Sequence, residues 1–159
     1  MIRAAEPSDV PDLLRLIRAL ADYEREPDAV EATENDLIRS LFGPTPVARA
    51  DVAVIDGRVV GMAVWFLSFS TWTGRPSLYL EDLFVEPVHR ASGLGRQLLS
   101  RLASTALELG CARMDWSVLD WNEPAMGFYR AIGAQPMTEW TTWRLTGDAL
   151  QTLAGHPPA

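Results

Sequence analysis

Val85-Glu86-Pro87-Val88-His89-Arg90-Ala91-Ser92-Gly93-Leu94-Gly95-Arg96 carries the chain from the end of an apolar strand, through a turn, into a helix. Glycine lets backbone N–H groups come close to a ligand. The N-terminus of a helix adds unpaired donors and the positive end of the peptide dipoles, which together suit a phosphate. Arg90 and Arg96 add charge. The same residues also read as an ordinary glycine-rich turn. A dinucleotide fingerprint requires a third glycine where Leu98 stands. A P-loop requires a lysine after its last glycine, and the chain has none: all fourteen basic residues are arginine.

Upstream, Ile2 to Ala5 reads as a short strand. Ser8 is placed to cap a helix in which Val10, Leu13, Leu14, Ile17, Leu20 and Ala21 form one apolar stripe. Thr33 and Asp36 have the spacing of a capping box, and Leu37, Ile38, Leu41 and Phe42 follow before Gly43. Val47–Ile55 and Val59–Ser68 are predicted strands, joined by the hairpin signal Asp56-Gly57. Ser77–Val85 is a third, interrupted by Glu81-Asp82.

Downstream, Gly93–Leu109 predicts a helix with Leu94, Leu98, Leu99, Leu102, Ala106 and Leu109 inward. Ala112–Leu119 returns as a strand, Asn122 caps a helix that ends at Gly133, and Thr141–Leu145 is a predicted last strand. A helix crossing between two strands makes them parallel, so the expectation is an α+β fold with a mixed central sheet of about six to seven strands flanked by helices.

The 159 residues suit one domain, 1–159, and nearly half are hydrophobic, which excludes global disorder. There is no long apolar run for a membrane span and no signal-peptide pattern. The single Cys111 excludes an internal disulfide and fits a cytoplasmic protein; it reads as a packing residue. A net charge of −7 argues against a nucleic-acid partner and is compatible with a cationic substrate. His89, His156 and Cys111 lack metal-ligand spacing, so no metal is expected.

With the two nucleotide motifs excluded, coenzyme A is the remaining ligand suited to the loop. Arg90-x-x-Gly93-x-Gly95 resembles the acetyl-CoA motif of the GNAT acetyltransferases. Trp121-Asn122-Glu123-Pro124-Ala125-x-x-Phe128-Tyr129-x-x-x-Gly133-Ala134 is similar to that superfamily's second cofactor segment. More narrowly, Tyr79-Leu80-Glu81-Asp82-Leu83-Phe84-Val85, Trp121-Asn122-Glu123-Pro124 and Leu16-Ile17-Arg18-Ala19-Leu20-Ala21-Asp22-Tyr23-Glu24 resemble the spermidine/spermine (diamine) acetyltransferases. The likeness runs from Ile2 to about Leu145. It departs at Ala91, where that narrower family usually has glycine, at Ile132, where a basic residue is common, and at Asp115-Trp116-Ser117, in the segment that helps line the acceptor site.

The resemblance implies acetyl transfer from acetyl-CoA to a primary amine of a small cationic acceptor, of polyamine, diamine or lysine-analogue type. It places the cofactor against Leu83, Phe84 and Val85, at Arg90, Ala91, Ser92, Gly93, Leu94, Gly95 and Arg96, and at Asn122, Glu123, Pro124 and Ala125. It places the acceptor near Tyr23, Glu24, Glu81, Asp82, Asp115, Trp116 and Ser117. An ammonium with a pKa of about 10 must lose its proton. Glu81 is the candidate base, or else an anchor for the cation. Tyr129 is the candidate acid for the leaving thiolate, with core packing beside Phe128 as its bland alternative. The narrower family also implies a homodimer, with Trp140 and Trp143 as interface material. Two other readings stay open: a non-catalytic acetyl-CoA sensor, and an enzyme acting on a peptide or an aminoglycoside.

Overall fold

The computed structural model describes residues 1–156. The chain divides into two compact units, Met1–Leu119 and the part from Asp120 onward.

The first unit is built on a five-stranded sheet: β1 (Ile2–Ala4), β2 (Arg49–Ile55), β3 (Arg58–Ser70), β4 (Arg75–Val85) and β5 (Met114–Trp116), in that spatial order. β1 to β4 run antiparallel, and β5 is parallel to β4. The connection that permits this parallel pair is α3 (Leu94–Glu108), as the crossover rule requires. Asp56 and Gly57 both have positive φ, 48° and 78°, the geometry that lets a two-residue hairpin loop follow the twist of its strands.

α1 (Val10–Tyr23) and α2 (Glu34–Phe42) cover one face of the sheet. There Leu13, Leu16 and Leu41 pack on Val52, Val59, Met62 and Phe84. α3 lies across the opposite face and buries Leu94, Leu98, Leu99, Leu102 and Ala106. Its Arg101 reaches Asp51, whose carboxylate also accepts from the Trp65 indole N–H at 2.9 Å.

Local signals explain the helix ends. Thr33 accepts from the Asp36 amide, and Asp36 answers at the Thr33 amide at 2.9 Å, closing the capping box. The start of α1 differs from expectation: Ser8 lies within a 3-10 turn, Pro7–Asp9, and Asp9 is the cap residue. The cause is Arg3, whose two contacts with the Asp9 carboxylate, at 2.6 and 2.9 Å, draw the chain into that turn.

The second unit contains α4 (Glu123–Ala131) and α5 (Gly147–Leu153). Thr141–Leu145 forms no strand, and Trp143 within it is 91 % exposed. The sheet therefore has five strands among the described residues, not six or seven. Alternating apolar residues become a strand only where a partner edge meets their main-chain groups, and this segment has none. Among the described residues no helix is long and apolar enough to cross a membrane.

Candidate active site

The strand β4 is paired on both sides only at its beginning. Its ladder with β5 consists of Leu78, Tyr79 and Leu80 among the described residues. Beyond Leu80, no strand among the described residues pairs with the side of β4 away from β3, which leaves an open edge there.

A bulge decides which groups that edge presents. Trp65 pairs with Leu80 and Val64 with Asp82, so Glu81 is an inserted residue. Before it, the Leu78 amide donates to the Arg113 carbonyl, at 3.1 Å, and Leu78 and Leu80 direct their main chain at β5. After it the parity reverses. The Glu86 amide donates to the Val60 carbonyl at 2.9 Å; counting back, Phe84 and Asp82 face β3. Leu83 and Val85 are thus the residues whose N–H and C=O groups face the open edge. Phe84, expected on that edge with them, turns its main chain to β3 and its ring into the core, 5 % exposed.

The glycine loop follows directly. Ala91 and Gly93 have φ of 63° and 82°, and Gly93 is the residue that opens α3. The first-turn N–H groups of α3, from Leu94 through Arg96, have no acceptor within the helix. The Ser92 hydroxyl donates to the His89 carbonyl at 2.6 Å, folding the loop upon itself. Ala91, Ser92, Gly93 and Arg96 are exposed, and Leu94 is buried beneath them. Arg90 donates through Nε to the Val85 carbonyl at 3.1 Å. These features fit a phosphate-bearing ligand that also carries amides: open N–H groups, a positive helix end and cationic side chains beside a free strand edge.

Three carboxylates gather where the bulge begins. Burial, with the charges of Glu81 and then Glu24 added, pushes the Asp82 carboxyl up to about 6. Burial also raises the Glu24 carboxyl. Glu81 is exposed. Tyr23, the last residue of α1, and Glu24 after it bring the helix end to this cluster.

β5 and Ser117 just after it supply the remaining expected acceptor residues. Asp115 is paired with Arg113 at 2.8 Å, so its charge is already balanced. The Ser117 and Tyr79 hydroxyls lie 3.0 Å apart, and Trp116 is half-buried. In the second unit, the Asn122 side chain accepts from the Ala125 amide at 3.4 Å and caps α4, whose first residues are Glu123 and Pro124. Tyr129 stands on α4 with its ring centroid 5.5 Å from that of Phe128.

One group escaped the sequence reading. Glu86 is buried between β4 and the glycine loop, paired with Arg15 of α1 and, at 2.8 Å, with Arg58 of β3. It ties the start of the loop to two other elements. An acidic residue closing an apolar strand was the visible sign, but its partners lie 71 and 28 residues away. Among the described residues no cluster of His, Cys, Asp or Glu is placed to hold a metal ion. A groove of about 440 Å³ between Ile2 and the Gln97–Glu108 side of α3 shares none of these site residues.

An open β4 edge and a glycine loop entering a helix, on a sheet whose last strands are parallel, form a site suited to a ligand that carries both phosphates and amides. The chain belongs to the acetyltransferase (GNAT) family, which it matches over residues 12–134. It is similar to thialysine N-epsilon-acetyltransferase of Bos taurus, with 42 % identity over 98 % of this chain and 97 % of that protein. It is also similar to spermidine/spermine N(1)-acetyltransferase-like protein 1 of Homo sapiens, with 34 % identity over 91 % of this chain and 22 % of that longer protein. Among solved structures, an integron cassette protein from V. cholerae matches with a TM-score of 0.81 and 30 % identity, over 97 % of this chain and 96 % of that one. The protein is an N-acetyltransferase of this family.

Proposed function

We propose that this enzyme acetylates a primary amine of a small acceptor bearing at least two amino groups, of the polyamine, diamine or lysine-analogue type. The observation that carries this is the convergence of Glu24, Glu81 and Asp82 at the bulge, beside the open β4 edge. The names of the relatives, thialysine and spermidine/spermine acetyltransferases, point the same way. Two ammonium groups call for carboxylates at two depths, and the cluster offers an exposed one and two more deeply set.

Acetyl-CoA supplies the activated acetyl thioester. On this reading, Leu83 offers its N–H and C=O, and Val85 its N–H, to the amide arm, while the Val85 carbonyl holds Arg90. Arg90, Ser92, Arg96 and the N–H groups at Gly93, Leu94 and Gly95 receive its phosphates, with Asn122 to Ala125 as a second contact segment. Glu81 and Asp82 share the proton that the reacting ammonium must lose. Glu81 is in reach of solvent, and Asp82, pushed up to about 6, is the better matched acceptor. Glu24 holds the second ammonium, and Tyr129 donates to the departing thiolate. Both units belong to one GNAT domain, since the family match runs through the boundary between them. The enzyme works in the cytoplasm as a homodimer, with the exposed Trp140 and Trp143 as interface material.

The test is a thiol-release assay with acetyl-CoA against polyamines, thialysine, matched monoamines, aminoglycosides and peptides. Higher kcat/KM for the diamines than for the monoamines supports the proposal. Turnover confined to peptides or aminoglycosides refutes it, and no turnover with any acceptor favours the sensor reading.

A further inference from the structure

Arg90 is exposed, and no carboxylate pairs with it among the described residues. Its side chain is nevertheless held in place. Nε donates to the Val85 carbonyl at 3.1 Å. The guanidinium carbon lies 4.7 Å from the centroid of the Tyr23 ring and 5.5 Å from that of Phe84. Phe84 is locked in the core, so it forms a fixed wall. Tyr23, at the half-buried end of α1, is the nearer ring.

The geometry matters because a guanidinium has two kinds of surface. Its faces are attracted to aromatic rings, and its in-plane N–H groups form bidentate contacts with phosphate oxygens. Holding Arg90 by ring contacts and by Nε therefore leaves its Nη donors and its full charge for an anion. An Arg–carboxylate pair would fix the side chain equally well but would neutralise it.

We propose that Tyr23 is a positioning residue for Arg90: its ring holds the guanidinium at the mouth of the glycine loop, so Tyr23 sets affinity for the phosphates of acetyl-CoA. This rests on reading the loop as the coenzyme A site. It gives a residue expected at the acceptor a role on the donor side, and it links the end of α1 to both substrates.

The experiment is calorimetry with coenzyme A alone, without amine, on folded full-length variants. Tyr23→Leu removes the ring and is expected to weaken coenzyme A about five- to tenfold, within the range of a partly exposed cation–π contact. Tyr23→Phe keeps the ring and restores the affinity. In Arg90→Gln, the further change Tyr23→Leu adds little, because the group it positions is gone. Wild-type coenzyme A affinity in Tyr23→Leu, or fully additive losses in the double variant, would overturn the inference. If Tyr23→Leu does not fold, Arg90→Lys takes its place. An ammonium lacks the planar face and fork, so a comparable loss is expected and unchanged affinity is the contrary result. Gly93→Asp separates the two layers of the proposal. If it binds coenzyme A normally, the loop reading itself fails. If it loses binding while Tyr23→Leu keeps it, only the role of Tyr23 fails.

Discussion

Glu81 and Asp82 are chain neighbours in opposite surroundings: the bulge leaves Glu81 exposed, while Asp82 faces the α1 side of the sheet and its carboxyl is pushed up to about 6. A carboxyl whose pKa is raised by folding favours the protonated state in the native protein. Its contribution to stability is complete below the unfolded value of about 4 and is lost as pH rises through 6. Asp82→Asn should then stabilise the fold at pH 8, by up to about 3 kcal/mol, and do little near pH 4. Urea unfolding at the two pH values is the check, and a pH-independent difference would contradict it. The acid limb of kcat/KM near pH 6 should vanish in Asp82→Asn and persist in Glu81→Gln.

The division of labour among the carboxylates is separable by kinetics. Glu24→Gln is expected to raise KM for a diamine more than for a matched monoamine, since an interaction made equally in ground and transition states alters KM alone. Glu81→Gln is expected to lower kcat for both amines by about ten- to a hundredfold. Equal effects of Glu24→Gln on the two amines would show that no second ammonium sits there.

Ala91 occupies a left-handed conformation, with φ at 63°, where a side chain is strained and glycine is not. Ala91→Gly is expected to raise stability by about 0.5–1 kcal/mol, the relief of left-handed strain less the added entropy of the unfolded chain. Thermal unfolding measures it, and a loss of stability would mean that the loop does not hold this conformation.

Glu86 joins Arg15 and Arg58 at the root of the glycine loop. Both arginines keep some access to water, so removing their shared partner should cost about 1–3 kcal/mol rather than the full penalty of a buried charge. Glu86→Ala should show that loss in urea unfolding, together with weaker coenzyme A binding from a less firmly held loop. A variant within 0.5 kcal/mol of wild type, on the scale of an ordinary surface change, would show that the tie is idle.

What the sequence determined by itself is what neighbouring residues settle among themselves. The Thr33–Asp36 box, the Asp56-Gly57 turn and the Asn122 cap each arise within a few residues, and each is present; the apolar stripes of α1 and α3 are present too, except that Leu16, outside the expected stripe, is fully buried and Leu109, expected inward, is 38 % exposed just past the end of α3. The hairpin of β2 and β3 and the parallel pairing of β5 with β4 across α3 followed from these elements, whereas the place of β1 beside β2 came from the sheet itself. The interruption of β4 at Glu81-Asp82 was visible too, but not its consequence. Only the ladder with β3 shows that one inserted residue turns Leu83 and Val85, and not Phe84, to the open edge. Thr141–Leu145 has the alternation of a strand and lacks a partner, so it forms none. The raised pKa of Asp82, the pairing of Glu86 with Arg15 and Arg58, and the ring contacts of Arg90 join residues far apart in the chain. Caps and turns are satisfied by hydrogen bonds across three or four residues, whereas strand pairing, burial and charge depend on which distant segment the fold brings alongside.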